Sequence, residues 1–582
     1  MNGLQRTLGV FFCIIYLVKG NVIVETKSGK VAGVEVSSIL KNEKFYSFFS
    51  IPYAEPPIGN LRFMPPKPHP GWSDVLAAKK EKKPCAHYYL PVKQTNNYGF
   101  VGSEDCLYLS IHTPKLPNND KPNLPVIVFV YNENFKNSYN ASKEYGPDFF
   151  MKEDVIIVTL QHRLGSLGFL SFEDDLLPGN NGLRDVILAL KWIQDNIASF
   201  GGDPNRVTLM GHDGGAVIVD IFLHSPKAKG LFQRAALHSG TAWNPVYLRG
   251  KARERAIQFS KELEEHATTS SYLLKRLTHF DVMVLTELEE RSVGADEARE
   301  IQQGVIAFGP VVEHEHPDAV ITKLPESKPI NIEVPVMIGY NSREGIFHSE
   351  RYLQMPNFLT MADRDFVFLF PYRTNYTFDI HSKVYADAIQ KIKDFYFKEG
   401  YIKISFPGEY INYSGDLFQF YGVDYTVRQY AKDSKNPIYY FTFDHSGEFN
   451  WKKKSFMEEA VSLDGTWGAS HGDELCYLFV CKPIKKAYKK ALEDEDSEDI
   501  ALMKKMVKMW SNFAKTGNPT PPGSEVEWKP ATTENRECLV ISEEPTLKTK
   551  LHNDVVEFWD NFIESYRKLA VNGVVKDVKD EL

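Results

Sequence analysis

Cysteine and long apolar runs are both scarce in this chain. Six cysteines in 582 residues are too few for a disulfide scaffold, so a hydrophobic core must hold the fold together. Beyond residue 20 no run approaches the roughly 20 apolar residues of a membrane span, which argues against membrane anchoring. No repeat and no Pro- or Ser-rich linker divides the chain, so we expect one large domain.

Basic charge is not in excess either. The formal net charge is −8 and the isoelectric point is near 6.1, which argues against nucleic acid as a partner. A composition of 43% hydrophobic and 25% charged residues excludes wholesale disorder. His314 and His316 alternate in a segment that the sequence predicts to be a loop, and no further ligands accompany them, so we expect no metal and no cofactor.

The two ends of the chain predict a cellular location. Residues 8–18 form an uncharged apolar run whose length suits a signal peptide cut near Gly20, although a buried strand or helix is the alternative. The chain closes with Lys579, Asp580, Glu581 and Leu582, the signal read by the KDEL receptor. The sequence thus predicts a signal peptide over 1–20, one domain over 21–570 and a tail over 571–582. We expect a resident of the endoplasmic reticulum (ER) lumen.

Three glycosylation sequons agree with that compartment, and they begin at Asn140, Asn375 and Asn412. Each is a weak signal by itself, because such triplets occur by chance in a long chain. Together with the terminal signals they predict a glycoprotein.

Apolar periodicity predicts an α/β fold. Continuous β-branched runs follow Pro125, Asp154 and Arg206, as in strands that are covered on both faces. Helical spacing follows over residues 182–200 and from residue 216 onward. Strands that alternate with helices imply a mostly parallel sheet. The acidic run over 493–499 reads as a solvated loop.

Several ordered motifs carry a family resemblance. They are Phe49-Ser-Ile-Pro-Tyr-Ala54, Ser103-Glu-Asp-Cys-Leu-Tyr-Leu109, Phe200-Gly-Gly-Asp-Pro204, Asn341-Ser-Arg-Glu-Gly345 and Ser470-His-Gly-Asp-Glu-Leu475. In this order they resemble the type-B carboxylesterase/cholinesterase family of α/β-hydrolases. The resemblance implies a large, mostly parallel central sheet with helices on both faces and a nucleophile–histidine–acid triad.

The resemblance places the nucleophile elbow at Gly211-His-Asp-Gly-Gly215. The glycines of the elbow are present, but Asp213 stands where the family has its serine. The histidine base matches His471 and the acid matches Glu344. No G-x-S-x-G occurs at the end of another expected strand.

A second departure lies at the oxyanion loop. The family has His-Gly-Gly-Gly-Phe after the first central strand, whereas this chain has Tyr131, Asn132, Glu133, Asn134 and Phe135. Three glycines whose amides bind the oxyanion are therefore replaced. We expect Gly214 to supply the one secure amide donor, and Glu133 to bring a negative charge to the anion site.

Three functions remain open on these residues. The triad remnant could be structural, with a protonated His471 between two carboxylates, in a pseudo-enzyme that binds a small apolar ligand or an ER protein partner. Alternatively, Asp213 could attack an epoxide or alkyl halide, with water activated by His471 and Tyr131 as a donor to the leaving group. Lyase or cyclase chemistry is a third alternative.

The resemblance also implies a disulfide between Cys85 and Cys106. Cys476, Cys481 and Cys538 cannot be paired from the sequence, and five mature cysteines leave at least one without an intramolecular partner. We expect Cys476 to be a buried small side chain.

Overall fold

The computed structural model describes residues 16–18, 21–89, 99–117, 123–139, 141–248, 250–327 and 332–577. Its strands are β1 Tyr16–Val18, β2 Asn21–Thr26, β3 Gly29–Ser37, β4 Lys44–Pro52, β5 Leu76–Ala77, β6 His87–Tyr89, β7 Gly99–Val101, β8 Tyr108–Thr113, β9 Leu124–Asn132, β10 Tyr145–Gly146, β11 Ile156–Leu160, β12 Gly202–Asp213, β13 Arg234–His238, β14 Val336–Asn341, β15 Thr377–Phe378, β16 Ile438–Phe443, β17 Val480–Cys481, β18 Cys538–Ile541, β19 Thr546–Lys548 and β20 Val574–Val575.

The helices lie mostly between the central strands and after them. They are α1 Ala141–Glu144, α2 Asp148–Met151, α3 Gly165–Phe169, α4 Asn181–Asn196, α5 Gly214–His224, α6 Ala252–Glu262, α7 Ser270–Leu277, α8 Val282–Leu288, α9 Glu297–Ile301, α10 Gly345–Gln354, α11 Asn357–Arg364, α12 Lys383–Tyr396, α13 Pro407–Gly415, α14 Tyr421–Asp433, α15 Trp451–Met457, α16 Leu475–Leu478, α17 Lys485–Ala491, α18 Glu498–Thr516 and α19 Asn553–Arg567.

One twisted sheet organises the described part of the chain. Its strands follow the order β1-β2-β3-β4-β8-β11-β9-β12-β13-β14-β16-β18-β19, with β5 beside β3. The stretch from β11 to β18 is parallel throughout, and antiparallel strands flank it on both sides. The prediction of a mostly parallel sheet is confirmed.

Side chains of the central strands alternate between two hydrophobic cores. On β9, Val126 and Val128 enter one core, whereas Ile127 and Phe129 enter the other. Every residue of β9 is buried, because helices cover both faces of a parallel sheet. Helices α4 and α5 lie on the first face, and α18 lies on the second.

The acidic run is only partly the solvated loop that we expected. Residues 493–496 are exposed, but α18 begins at Glu498. Asp499 accepts hydrogen bonds from the Tyr477 hydroxyl at 2.7 Å and bonds the His445 ring at 2.9 Å. The last carboxylate of the run is therefore part of the packed structure.

The ends of the chain are described in part. The predicted signal peptide falls largely outside the described residues, and the residues Lys579 to Leu582 lie outside them as well. Within the tail, β20 pairs with β15, and the Asp577 carboxylate accepts hydrogen bonds from the first amides of α12. In the described ranges no helix combines the length and the apolar character needed to cross a membrane.

Candidate active site

A sharp turn joins β12 to α5 and presents Asp213. The backbone of Asp213 has φ 52° and ψ −120°, a conformation that L-residues rarely adopt and that stores strain. A Cβ atom on Gly211 would lie 2.2 Å from the Gly215 carbonyl oxygen, and one on Gly215 would lie 2.0 Å from the Val130 carbonyl oxygen. Both positions therefore require glycine, and the turn places the Asp213 side chain at the carboxyl edge of the sheet.

The structure brings Asp213, His471 and Glu344 together. The Nδ1 atom of His471 lies 2.6 Å from Oε2 of Glu344. Its Nε2 atom lies 3.8 Å from Oδ2 of Asp213, which is too far for a hydrogen bond. All three side chains are at most 4% exposed. The arrangement is that of a triad in which the histidine touches the acid but not the residue at the elbow.

Two carboxylates determine the charge of His471. Burial alone would lower the pKa of His471, but the Glu344 carboxylate, reinforced by Asp213, raises it well above its ordinary value. Burial raises the pKa of Asp213, against the opposing effect of His471. Glu344 is itself fixed by the Ser239 hydroxyl at 2.5 Å and the Asn341 amide at 2.7 Å. The resting cluster therefore holds its proton on His471, which cannot act as a base in that state.

The amides of the oxyanion loop are engaged by acceptors of the chain itself. The amide of Glu133 donates to the Asn137 carbonyl at 2.8 Å, and the amide of Phe135 donates to Oδ1 of Asn132 at 2.8 Å. The amide of Asn134 donates to Oδ2 of Asp213 at 3.1 Å. The loop thus keeps one amide directed at the elbow, and the Asp213 carboxylate occupies it.

The side chains of Asn132 and Asn134 fill space around the elbow. A Cβ atom on Gly214 would lie 1.9 Å from Oδ1 of Asn132, and Nδ2 of Asn132 lies 3.1 Å from Nε2 of His162. The Tyr247 hydroxyl donates to Oδ1 of Asn134 at 2.7 Å. Asn132 and Asn134 are therefore integrated into the packing beside Gly214, which leaves less room there than three glycines would.

Glu133 has a counter-ion that the sequence did not reveal. Nζ of Lys452 lies 2.9 Å from Oε1 of Glu133, and the Tyr131 hydroxyl donates to the same oxygen at 2.6 Å. Burial would raise the pKa of Glu133, but Lys452 holds it below its ordinary value. The Glu133 charge is thus compensated. The Tyr131 hydroxyl, which we considered as a donor to a leaving group, is bonded to Glu133 in the resting chain, and its ring is 1% exposed.

His212 is a second functional-site residue that we did not single out. Its ring centroid lies 5.9 Å from that of Tyr131 and 4.6 Å from that of His471. Burial, reinforced by the charge of His471, lowers the pKa of His212 well below its ordinary value. Neither ring nitrogen has a hydrogen-bond partner within the described part of the chain. A neutral imidazole therefore packs on a charged one.

The cysteines are paired differently from our expectation at one point. The disulfide Cys85–Cys106 is present as predicted. Cys476 is not a free buried thiol, because it forms a disulfide with Cys481 across the loop that follows α16. The rule that buried cysteines behave as small hydrophobes fails here because a partner lies only five residues away. Among the described cysteines, Cys538 is the free one.

The sequons differ in their surroundings. Asn375 is exposed beside β15, and Asn412 is exposed on α13, where its side-chain oxygen accepts a hydrogen bond from Arg343. Asn140 lies outside the described residues. Within those residues no cluster of three or more His, Cys, Asp or Glu side chains is arranged to hold a metal ion.

Comparisons with known proteins agree with this architecture. The model of the carboxylesterase family matches residues 20–559. The chain is 31% identical to juvenile hormone esterase of Tribolium castaneum over 90% of this chain and 88% of the relative. It is 31% identical to esterase FE4 of Myzus persicae, over 88% and 86% of the two chains, and 30% identical to carboxylesterase 5A of Felis catus, over 92% and 93%. By fold, motif order and extent of match, this chain belongs to the carboxylesterase family.

Proposed function

We propose that this member of the carboxylesterase family does not hydrolyse esters through a serine, and that it works as a ligand- or partner-binding protein of the ER lumen. The observation that carries the proposal is the position of the Asp213 carboxylate. It stands at the elbow in place of a hydroxyl, and it accepts the Asn134 amide that would otherwise face a substrate oxyanion.

Chemistry argues against ester hydrolysis by this arrangement. Attack of a carboxylate on an ester carbonyl would form an anhydride and expel an alkoxide, which is unfavourable. The negative charge of Asp213 also lies where a tetrahedral intermediate would place its own. His471 is already protonated between Glu344 and Asp213, so no general base is available for a neighbouring hydroxyl.

Because its relatives are named as esterases, the competing expectation is that this chain hydrolyses esters through a serine. An activity-based probe distinguishes the two. The purified glycoprotein should neither hydrolyse p-nitrophenyl acetate or butyrate nor label with a fluorophosphonate, which requires an activated serine. His471→Gln serves as the matched control for background hydrolysis. Stoichiometric labelling of wild type that is lost in His471→Gln would overturn the proposal.

A second candidate function is hydrolysis of an epoxide or alkyl halide with Asp213 as the nucleophile, and one observation favours it. One oxygen of Asp213 is held by the Asn134 amide, and Nε2 of His471 lies 3.8 Å away without a hydrogen-bond partner in the described chain. In this reaction the carboxylate oxygen bonds to an sp³ carbon while the carbon–halogen or epoxide carbon–oxygen bond breaks, so the halide leaves as an anion or the epoxide oxygen takes the proton of His471. Loss of the Asp213 charge lowers the pKa of His471, which in the halide case then gives its proton to solvent. The neutral imidazole takes a proton from water as the hydroxide attacks the ester carbonyl, and the alcohol leaves with the Asp213 carboxylate restored.

A covalent adduct distinguishes the two functions. Wild type and His471→Gln are incubated with styrene oxide or 1-bromohexane, and the peptide that contains Asp213 is examined by mass spectrometry. An alkyl ester on Asp213 that accumulates in His471→Gln would establish the hydrolase. Asp213→Asn is the control for alkylation elsewhere, and an unmodified Asp213 in both proteins leaves the binding role.

A further inference from the structure

A cleft of about 480 Å³ is lined in part by the turn that carries Glu344. Strand β14 and helices α12, α13 and α19 contribute its walls. Glu344 lines it, but Asp213 and His471 do not. Because Glu344 is the one triad residue in its lining, the cleft is separate from the elbow. Its volume is within the range of small-molecule sites, so it is large enough for a ligand.

Aromatic rings form much of its wall. Phe395, Tyr396, Phe420 and Trp467 all line the cleft. The Trp467 side chain is 62% exposed, an unusual position for so large an apolar group. Its ring covers the Arg343 guanidinium at 4.4 Å. The floor includes a π-helical turn, Asp416–Phe420, a distortion that is frequent at functional sites.

The charges of the cleft are unbalanced. Asp416, Asp444 and Asp554 line it, and none of the three makes an ion pair among the described residues. Arg343 is 6% exposed, and it donates to the Gly465 carbonyl and to Asn412 rather than to a carboxylate. Carboxylates without ion-pair partners therefore face the space that aromatic rings surround.

Two cations and one imidazole also line the cleft, besides Glu344, Tyr340 and Tyr396. Burial lowers the pKa of Arg343 to about 10, so it stays charged beneath Trp467. Lys548 is exposed at the rim. Burial lowers the pKa of His552, which is therefore neutral at pH 7. The Arg343 charge is shielded by the Trp467 ring, and the Lys548 charge is exposed to solvent. The Asp416 carboxylate lies inside the cleft.

Polar atoms at the floor lack partners as well. Tyr340 and Thr442 occupy paired positions on β14 and β16, and each is 3% exposed. The Thr442 hydroxyl lies close enough to act on the pKa of Tyr340, but neither hydroxyl has another partner within the described chain, although buried polar groups are normally satisfied. Both residues line the cleft, so a ligand that enters could satisfy them.

We propose that this cleft binds an organic amine cation with a flat apolar body. The ammonium group pairs with Asp416 and the carboxylates nearer the mouth, and the apolar body packs on the aromatic wall with cation–π support. The inference does not depend on Asp213 being inert, because the two sites share no side chain other than Glu344. An active esterase would refute the proposed function and leave this site untouched.

Calorimetry with three isosteric probes tests the ligand class. Benzylamine, benzyl alcohol and benzoate are titrated into the full-length protein at pH 7.5 and low salt. We expect benzylamine to bind at least tenfold more tightly than the other two. Equal affinities for the amine and the alcohol, or no measurable binding of benzylamine, would overturn the proposal.

Variants and proton release locate the binding. Asp416→Asn and Trp467→Ala should each weaken the binding of benzylamine at least fivefold. Asp496→Asn, which changes an exposed carboxylate in the acidic run, should leave the affinity unchanged.

Burial raises the pKa of Asp416 to about 7 against the opposing effects of Tyr396 and Arg343, with Asp554 adding to the rise. Binding of the amine should therefore release a proton at pH 7, seen as a heat that depends on the buffer. A buffer-dependent heat that is lost in Asp416→Asn would place the released proton on Asp416, and binding unchanged in Asp416→Asn would refute the site; thermal melting checks that each variant folds.

Discussion

The amide of Asn134 donates a hydrogen bond to the carboxylate of Asp213 at 3.1 Å. The donor belongs to the loop after β9 and the acceptor to the turn after β12, which are neighbouring strands of the sheet. The anion that this edge stabilises is thus supplied by the protein itself. A substrate that needs the same donor must displace a charged side chain, and this relationship underlies the first prediction.

Asp213→Ser alone should restore little esterase activity. The change frees the Asn134 amide and places a serine beside His471 and Glu344. The Glu133 amide stays bonded to Asn137, and loss of one oxyanion donor typically costs a factor of about 10²–10³ in rate, roughly 3–4 kcal/mol. Hydrolysis of p-nitrophenyl butyrate measures the outcome.

Combining Asp213→Ser with glycine at positions 132, 133 and 134 should increase the rate far more than either change does alone. Nucleophile and oxyanion hole act on one transition state, so their effects are not additive. The glycine triple variant with Asp213 retained is the matched control. Ordinary carboxylesterase rates in Asp213→Ser alone would show that the hole is intact.

The stability of the protein should depend on pH through His471. Its pKa is higher in the folded chain than in the unfolded one, so its contribution to the free energy of unfolding is complete below about pH 6.5 and is lost as the pH rises through the folded pKa. From pH 6.5 to 9 the free energy of unfolding should therefore fall more steeply in wild type than in Asp213→Asn, in which one of the two carboxylates is removed. Denaturant titrations at several pH values measure this difference. Parallel curves for the two proteins would contradict the charged cluster.

Lys452→Met should destabilise the protein by about 3 kcal/mol, because it leaves the carboxylate of Glu133 buried without its counter-ion. The two side chains are 13% and 16% exposed. Adding Glu133→Gln to that variant should recover part of the loss. Lys454→Met is the control, since its pair with Glu448 is 47% and 75% exposed and should contribute less than about 1 kcal/mol. Equal losses in Lys452→Met and Lys454→Met would argue against a structural role for the buried pair.

The two disulfides should contribute unequally to stability. Cys85–Cys106 spans 21 residues and Cys476–Cys481 spans five, so loop-closure entropy predicts about 3 and about 2 kcal/mol respectively. Paired serine substitutions, Cys85→Ser with Cys106→Ser and Cys476→Ser with Cys481→Ser, isolate each bridge. Chemical denaturation of both variants and wild type gives the values, and a reversed order would show that packing around Cys476 outweighs the loop length.

Deletion of residues 579–582 should release the protein into the medium. Wild type should stay inside the cell, with its mature amino terminus near residue 21 and with glycans that an endoglycosidase removes. Lys576→Ala, which lies just before the signal, should remain inside. Retention of the truncated chain would refute ER retrieval as the basis of its address.

The sequence predicted the backbone of the site better than its electrostatics. The sheet followed from apolar runs, and the family resemblance placed the elbow at Gly211 and Gly215, whose neighbours leave no room for a side chain. The ion pair between Glu133 and Lys452 joins positions 319 residues apart, and the local periodicity of the sequence cannot predict such a long-range contact. His212 lay inside the elbow motif, but its role depends on the ring of Tyr131, which only the folded chain brings alongside it.

The burial of Cys538 makes the state of one thiol a reporter of folding. It lies on β18 with no exposed surface, and burial raises its pKa well above the ordinary value, so the native chain holds an unreactive thiol. Until β18 joins the sheet beside β16, the same sulfur is open to thiol–disulfide exchange. A chain that fails to insert this strand therefore exposes the Cys538 thiol to oxidoreductases, whereas insertion of the strand buries it.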